Sequence, residues 1–356
     1  MAKLRALVVE DSVTVRKRLC EVLGADPGIE VVGEAEDGKQ AIERCRVLRP
    51  DVITMDMMLP VMTGLSATEY VMAHFPTPIL IVSSSTNRGD LFRTYDALAA
   101  GAVDVLEKPA GDASDADWER RFLAAVKLVA RIRVITHPRA RLALLRQSAP
   151  ATPLPQPATA SACRVVALCA STGGPAALRE LLGALPSPFP VPILIVLHIG
   201  RPFGGAFAAW LDAQTGHRVF EAGGGEPLEE LAGRVLLAPP DRHLVVQAGA
   251  LYLSDAPPRH SCRPSIDFLL ESLARECGPR ALGCLLTGMG RDGAAGLLAL
   301  RRAGGRTIAQ DEATSVVYGM PREAVALGAA EQVLPLPAIA PAVAALLRAG
   351  QAGAPP

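Results

Sequence analysis

The sequence predicts two α/β domains, each built on a mainly parallel sheet, with a flexible linker between them. In the first half, short apolar runs alternate with helical patterns five times in about 130 residues, which is typical of a doubly wound sheet. A second alternation begins at Val165, after a segment rich in proline, alanine and serine. We therefore expect one domain over residues 1–135, a linker over 136–162 and a second domain over 163–350.

The strands predicted in the first half are continuous apolar runs bounded by polar or turn-forming residues. Such runs indicate strands that are buried on both faces, as in a parallel sheet. They are Leu4–Val9, Ile29–Val32, Val52–Met55, Ile79–Val82 and Val103–Leu106. A five-stranded doubly wound domain follows.

The second half repeats the alternation and adds shorter runs that fit it less well. The main predicted strands are the run from Val165, then Ile193–Leu197, Val235–Ala238, Leu282–Leu286 and Thr307–Ala309. Three further runs, at Arg218–Phe220, Leu244–Val246 and Leu251–Leu253, predict an added β-hairpin, because Gly249 and Ala250 separate the last two. The expected fold is doubly wound and mainly parallel, with this hairpin attached.

Composition excludes several classes of partner. The 36 basic and 36 acidic residues leave a net charge of zero, so no positive surface for nucleic acid is expected. Aromatic residues are only 4% of the chain, which argues against a platform for stacking bases. The longest apolar runs are too short for membrane insertion, the N-terminus lacks a signal peptide, and seven scattered cysteines suit a reducing compartment. We expect a cytoplasmic protein.

Three carboxylates are predicted to meet at one edge of the first sheet. Glu10 and Asp11 close the first strand and Asp56 closes the third. The carboxyl ends of parallel strands share an edge, so these acids would repel one another unless a hard cation such as Mg²⁺ lay between them. The alternative is that each is an ordinary solvated residue at the end of a strand.

Two further strand ends favour phosphate chemistry at this edge. Ser83 ends the fourth strand and Lys108 follows the fifth, so a hydroxyl and an ammonium are available to an acyl phosphate on Asp56. Residues 1 to about 130 resemble a two-component receiver domain. The resemblance implies that Asp56 is the phosphoacceptor, that Ser83 and Lys108 are the switch pair, and that Mg²⁺ binds Glu10, Asp11, Asp56 and the Met58 carbonyl.

The second domain opens with a strand that delivers Ser171 into a glycine-rich turn. The sequence there is Val165-Val166-Ala167-Leu168-Cys169-Ala170-Ser171-Thr172-Gly173-Gly174-Pro175, followed by a helical pattern. Such a turn suits two chemistries. It could cradle a phosphate at the helix N-terminus, or it could present Ser171 as a nucleophile beside N–H groups that stabilise an oxyanion.

A base and an orienting acid for Ser171 are available at other strand ends. His198 ends the strongly apolar run Ile193–Leu197, although a lone histidine is often structural. Asp292 follows another apolar run and a second glycine turn, where it would hold the imidazole or simply cap the next helix. His243 is interpreted as a residue that orders its loop.

These segments resemble the chemotaxis protein-glutamate methylesterases, the CheB family. The resemblance covers nearly all of residues 163–348 and includes Ala170–Pro175, Arg263–Asp267, Leu286–Gly296, Thr307–Gln310 and Tyr318–Pro321. It implies a triad in which Ser171 attacks an ester, His198 transfers the proton and Asp292 orients His198. It further implies that the Met289 N–H donates a hydrogen bond to the oxyanion and that Thr172 helps to position the imidazole.

The resemblance also implies the substrate and the regulation. The substrates would be glutamate methyl esters on the cytoplasmic helices of methyl-accepting chemoreceptors, with release of methanol and deamidation of receptor glutamines. A chemotaxis histidine kinase would phosphorylate the receiver, which would then uncover the Ser171 edge. A non-catalytic receiver-gated binding module and a nucleotide-binding enzyme are the alternatives, although neither Gly-x-Gly-x-x-Gly nor Gly-Lys-Ser/Thr occurs.

Overall fold

A computed structural model describes residues 3–84, 87–109, 115–132, 134 and 163–351. The chain forms two compact units that divide within residues 135–162, a segment outside the described residues. The linker predicted over 136–162 therefore falls on residues of which nothing is described. Among the described helices, none is long and apolar enough to cross a bilayer.

The first unit contains a five-stranded sheet in the order β2-β1-β3-β4-β5, in which all neighbouring strands are parallel. This order is typical of a doubly wound fold and confirms the predicted class. The strands are β1 (Leu4–Val9), β2 (Ile29–Ala35), β3 (Val52–Met55), β4 (Ile79–Ser83) and β5 (Asp104–Glu107). The helices are α1 (Val13–Ala25), α2 (Gly38–Leu48), α3 (Gly64–His74), α4 (Arg88–Ala99) and α5 (Asp115–Val129).

Helices in the first unit begin at polar side chains that accept a hydrogen bond from the first turn. Asp37 Oδ1 accepts from the Gln40 N–H at 2.8 Å, and Thr63 Oγ1 accepts from the Ser66 N–H at 3.2 Å. Each bond satisfies one of the N–H groups that a helix N-terminus leaves without a partner. These caps fix the residues at which α2 and α3 begin.

The second unit contains a seven-stranded parallel sheet and a separate two-stranded hairpin. The sheet order is β14-β13-β12-β6-β7-β9-β8. The strands are β6 (Val165–Ala170), β7 (Ile193–Leu197), β8 (Arg218–Glu221), β9 (Arg234–Leu237), β10 (His243–Gln247), β11 (Ala250–Ser254), β12 (Ala281–Leu285), β13 (Arg306–Gln310) and β14 (Gln332–Leu334). The α-helices are α6 (Gly174–Ala184), α7 (Arg201–Gln214), α8 (Ile266–Glu276), α9 (Ala294–Arg302), α10 (Met320–Ala326) and α11 (Leu336–Gln351), and short 3₁₀ turns cover Leu228–Leu231 and Gly278–Arg280.

Two features of this sheet differ from the prediction. The run at Arg218 does not join the hairpin, because β8 pairs in parallel with β9 at the edge of the main sheet. The hairpin is formed by β10 and β11 alone, with Gln247 paired to Ala250. The strand β14 was not predicted, because its three residues at the opposite edge are too few and too exposed to form an apolar run.

Candidate functional site

Ser171 lies at the carboxyl edge of the large sheet, at the point where the strand order changes direction. It directly follows β6, which has β7 on one side and β12 on the other. Its N–H donates to the Thr287 carbonyl at 3.0 Å, and its own carbonyl accepts from the Gly174 N–H at 2.7 Å. Open α/β sheets bind ligands at such a switch point. Ser171 is half-buried there.

The turn after Ser171 requires glycine. Gly173 has a φ of 78°, which is the left-handed region, and a Cβ on it would lie 2.6 Å from the Cβ of Val316. This conformation lets α6 begin at once, at Gly174. The short turn therefore places Ser171 beside a helix N-terminus, whose N–H groups favour negative charge.

His198 and Asp292 form a close pair of ionisable groups at this edge. His198 directly follows β7, and its N–H donates to the Ala170 carbonyl at 3.1 Å, so it lies next to the strand that carries Ser171. Its Nε2 lies 2.9 Å from Asp292 Oδ2. The pair is nearly enclosed, because the side chains of His198 and Asp292 are 13% and 2% exposed. The structure gives no hydrogen bond between Ser171 and His198 among the described residues.

Asp292 accepts hydrogen bonds from four groups. Besides His198, the donors are Ser265 Oγ at 2.7 Å, the Ile266 N–H at 2.7 Å and the Asp267 N–H at 3.2 Å. The last three lie at the N-terminus of α8, where unpaired N–H groups and the helix dipole stabilise an anion. Asp292 is therefore held rigidly as a charged acceptor that faces His198.

Asp292 does not cap the helix that follows it. The N–H groups of Gly293 and Gly296, at the start of α9, donate instead to Asp267 Oδ1 at 3.0 and 2.7 Å. Asp267 belongs to the first turn of α8, so α8 and α9 exchange their capping acids. The simple capping interpretation of Asp292 is thus wrong, because the packing of the two helices brings each acid closer to the other helix.

Burial and hydrogen bonding shift the pKa values of His198 and Asp292 in opposite directions. Burial disfavours a protonated imidazole, but the hydrogen bonds with Asp292 and Cys262 outweigh it and raise the pKa of His198 to about 9. Burial also disfavours the carboxylate of Asp292, yet its donors outweigh that effect and lower its pKa. Asp292 is accordingly ionised and stabilises a positive charge on His198.

The turn after β12 meets the serine turn through Thr287. Thr287 Oγ1 lies 2.9 Å from the Thr172 carbonyl, and the Thr287 N–H donates to Gln310 Oε1 at 2.8 Å. Met289 follows two residues later and is 53% exposed. Thr172 is buried, and its carbonyl joins the two turns. Among the described residues, the structure gives no hydrogen bond between Thr172 and His198.

Gly288 keeps Ser171 and the Met289 turn close together. A Cβ on Gly288 would lie 2.7 Å from the Cβ of Ser171, which is closer than real side chains approach. The Gly288 carbonyl also accepts from the N–H groups of Gly319 and Met320, at 3.1 and 2.9 Å. The backbone at Gly288 is therefore fixed against the serine strand.

Two residues that sequence reasoning left without a role also belong to the site. Cys262 Sγ lies 3.7 Å from His198 Nδ1, although 64 residues separate them. Ser265 is one of the donors to Asp292, and its own N–H donates to His243 Nδ1 at 3.0 Å. His243 Nε2 lies 3.2 Å from the Pro257 carbonyl, so His243 orders the loop that carries Cys262 and Ser265. Contacts between residues so far apart in the sequence produce no local sequence pattern from which they could be predicted.

The first unit has its own cluster of charged groups at the edge of its sheet. Lys108 Nζ lies 2.8 Å from Glu10 Oε2 and 3.0 Å from Asp56 Oδ2. Glu10 and Asp56 are both buried. Burial and the neighbouring Asp56 carboxylate raise the pKa of Glu10 to about 7, against the opposing influence of Lys108. The buried acids are thus only partly neutralised by the lysine.

The other residues predicted for this cluster lie around it. Ser83 is buried at the end of β4, and its carbonyl accepts from the Lys108 N–H at 3.1 Å. Asp11 is exposed, and Met58 is 42% exposed. Asp56 Oδ1 accepts from the Met57 N–H at 2.7 Å, so one of its oxygens is oriented by the loop that also contains Met58.

The donor atoms of this cluster fit Mg²⁺. Glu10, Asp11 and Asp56 each offer an oxygen, and the three oxygens lie within 4.8 Å of one another. Oxygen ligands in an octahedral shell at about 2.1 Å are separated by about 3 to 4.2 Å, so small side-chain movements would bring these acids into such a shell. Hard carboxylate oxygens are the donors that Mg²⁺ prefers.

Both units match known families. The CheB methylesterase family matches residues 166–343, and the response regulator receiver domain matches residues 6–114. A protein named protein-glutamate methylesterase/protein-glutamine glutaminase 2, from Anaeromyxobacter dehalogenans, is 46% identical over 345 residues, which are 97% of each chain. The chain belongs to the CheB methylesterase family. Its receiver domain precedes the methylesterase domain.

Further proteins are similar to all or part of this chain. Protein-glutamate methylesterase/protein-glutamine glutaminase 4 of Myxococcus xanthus is 46% identical over 345 residues, or 95% of each chain. Among solved structures, the CheB methylesterase catalytic domain of Thermotoga maritima is 35% identical, with a TM-score of 0.49, and the match covers 52% of this chain and 98% of that one. The family models and the full-length relatives confirm the family predicted from the motifs.

Proposed function

We propose that this chain is a phosphorylation-regulated protein-glutamate methylesterase whose triad is Ser171, His198 and Asp292. The observation that carries the proposal is the enclosed 2.9 Å contact between His198 Nε2 and Asp292 Oδ2, at a strand end adjacent to Ser171. A hydrolase needs an oriented imidazole beside its nucleophile, whereas a binding module does not. The relatives' printed names support the same activity.

In the proposed mechanism, Ser171 Oγ attacks the ester carbonyl of a methylated glutamate. Asp292 contacts Nε2 of His198, so Nδ1 is the nitrogen that remains to take the proton from Ser171. Asp292 stays ionised and stabilises the imidazolium that forms. His198 then returns the proton to the leaving methoxide, which departs as methanol and leaves an acyl-enzyme.

The second half of the reaction uses the same groups in reverse. Water gives a proton to His198 and attacks the acyl-enzyme, which releases a free glutamate side chain and restores Ser171. The negative oxygen formed in each step would be stabilised by the N–H of Met289. Thr172 supports this arrangement, because its hydrogen bond with Thr287 ties the serine turn to the strand end before Met289.

The substrates we propose are glutamate methyl esters on the cytoplasmic helices of methyl-accepting chemoreceptors. An amide is attacked by the same chemistry, so the chain would also deamidate receptor glutamines, as the relatives' name glutaminase suggests. A substrate on a receptor's cytoplasmic side implies a cytoplasmic enzyme. We propose that the enzyme acts without binding nucleic acid and without inserting into a membrane.

The receiver is proposed to accept a phosphoryl group from a chemotaxis histidine kinase at Asp56. Glu10, Asp11, Asp56 and the Met58 carbonyl would hold Mg²⁺, which supplies charge neutralisation for the incoming phosphoryl group. Lys108, which already contacts Asp56, would bind a phosphoryl oxygen, and the Ser83 hydroxyl would bind another. The domain limits that we propose remain 1–135, 136–162 and 163–350, with the middle segment as the tether.

A serine-directed probe tests the nucleophile directly. A fluorophosphonate should label the full-length protein once per chain, and peptide mass spectrometry should place the adduct on Ser171. A Ser171→Ala protein should not be labelled and should release no methanol from methylated receptor membranes. Labelling at another serine, or undiminished methanol release by the variant, would overturn the triad.

A further inference from the structure

The thiol of Cys262 faces the proposed catalytic histidine from the side that Asp292 does not occupy. Its Sγ lies 3.7 Å from His198 Nδ1 and 3.4 Å from the His260 carbonyl. Cys262 is half-buried and the His198 side chain is 13% exposed, so a small ion can reach both. The two atoms are a soft sulfur donor and an imidazole nitrogen, which together suit Zn²⁺.

The second nitrogen of His198 has the partner that a zinc-bound histidine needs. A metal-ligating imidazole usually donates its other N–H to a carboxylate, which fixes the tautomer and makes the ligating nitrogen more basic. Here Nε2 lies 2.9 Å from Asp292 Oδ2, and Nδ1 is the nitrogen that faces Cys262. Asp292 is already held by donors from α8, so it serves as the outer carboxylate rather than as a ligand.

The spacing of the two donors fits tetrahedral zinc. With a zinc–sulfur bond of about 2.3 Å and a zinc–nitrogen bond of about 2.0 Å, a tetrahedral angle separates the two ligand atoms by about 3.5 Å. The observed separation is 3.7 Å, and the donor atoms of His198, Cys262 and Asp292 all lie within 4.8 Å of one another. The donors are therefore close to their bound positions without any backbone movement.

We propose that Cys262 Sγ and His198 Nδ1 form an inhibitory site for Zn²⁺. Binding releases the thiol proton and the proton on Nδ1 to solvent, and it forms one zinc–thiolate bond and one zinc–imidazole bond. Water completes the coordination. Zinc on Nδ1 occupies the nitrogen that takes the proton from Ser171, so ester hydrolysis stops while the ion is bound. The effect on activity rests on the proposed function, whereas binding of the ion does not.

Binding is tested on the full-length protein with Co²⁺ and Zn²⁺, in buffer that contains Mg²⁺ to fill oxygen-rich sites. Co²⁺ should give one equivalent of the near-ultraviolet charge-transfer band that a cobalt–thiolate bond produces, and Zn²⁺ should remove it by competition. Cys262→Ser and Cys262→Ala should lose the band and bind Zn²⁺ at least about tenfold more weakly. Cys163→Ser is the matched control, because Cys163 is also half-buried but its thiol donates to the Val165 carbonyl.

Activity gives an independent second readout. Each protein's rate of methanol release is compared with its own rate in a chelator, and Zn²⁺ should inhibit the wild type and Cys163→Ser but not the Cys262 variants. Loss of the cobalt band in Cys163→Ser, its persistence in Cys262→Ser, or equal zinc inhibition of all variants would overturn the site. A Cys262-dependent band in a protein that releases no methanol would instead overturn the proposed function alone.

Discussion

Replacing Asp292 by asparagine tests the two roles of this residue, the one proposed in catalysis and the one in helix packing. The carboxylate accepts four hydrogen bonds, from His198, Ser265, Ile266 and Asp267. Asparagine has one acceptor oxygen, so its NH₂ group must face two of those donors. If the NH₂ faces His198, the imidazole must accept at Nε2 and hold its proton on Nδ1, where it cannot act as a base.

The size of the effect follows from these contacts. Loss of the charge that stabilises the imidazolium, together with the wrong tautomer, should lower kcat by about 10⁴-fold. Loss of a buried charged acceptor should also lower the free energy of unfolding by about 3 kcal/mol. A double effect of this kind is expected only if the same oxygens serve His198 and the N-terminus of α8.

The assay measures methanol release from methylated receptor membranes, and a denaturant titration of the same preparation measures the free energy of unfolding. Ser265→Ala is the matched control, because it removes one donor to Asp292 and leaves the His198 contact intact. It should cost about 2 kcal/mol of stability and less than about tenfold in rate. An Asp292→Asn enzyme within tenfold of the wild type, or a Ser265→Ala enzyme equally impaired, would refute the reasoning.

Three more predictions concern the serine turn, the base and the receiver. Gly288→Ala places a Cβ 2.7 Å from the Cβ of Ser171 and should displace the nucleophile, which should lower kcat/KM by about 10²-fold. Gly183→Ala is the control, because its Cβ would meet no atom within 4 Å, and it should leave kcat/KM unchanged. In a chelator, kcat/KM should rise with pH as His198 loses its proton, with a midpoint above the ordinary 6.5 and towards 9; a midpoint at or below 6.5 would contradict the raised pKa. With Mg²⁺ present, the wild type should incorporate phosphate from a small acyl phosphate donor. Asp56→Asn should incorporate none, and neither should the wild type after Mg²⁺ is removed. Phosphate incorporated into Asp56→Asn would contradict the assignment of Asp56 as the phosphoacceptor.

Apolar runs predicted the central strands well, because these strands are covered on both faces. Ile193–Leu197 has the predicted limits, and all of its residues are buried. Edge strands were harder to predict, since a strand with one neighbour need not be apolar. Arg218–Glu221 has one buried residue in four, which resembles a hairpin strand, and Gln332–Leu334 has none.

The proposed site was predictable where it depends on strand ends and unpredictable where it depends on helix packing. Ser171 and His198 follow adjacent buried strands, so the sequence pattern brings them to one edge. Sequence alone suggested that Asp292 could cap its own helix, but α8 and α9 pack so that Asp267 takes that role. Such an exchange involves residues about 25 positions apart, and no local pattern encodes it.

The central claim is that Ser171 hydrolyses glutamate methyl esters under control of Asp56. Its most direct test measures volatile labelled methanol released from methylated receptor membranes, with and without an acyl phosphate donor and Mg²⁺. We expect release by the wild type that rises on phosphorylation, unstimulated release by Asp56→Asn and none by Ser171→Ala. Release that persists in Ser171→Ala, or that is stimulated equally in Asp56→Asn, would contradict the claim.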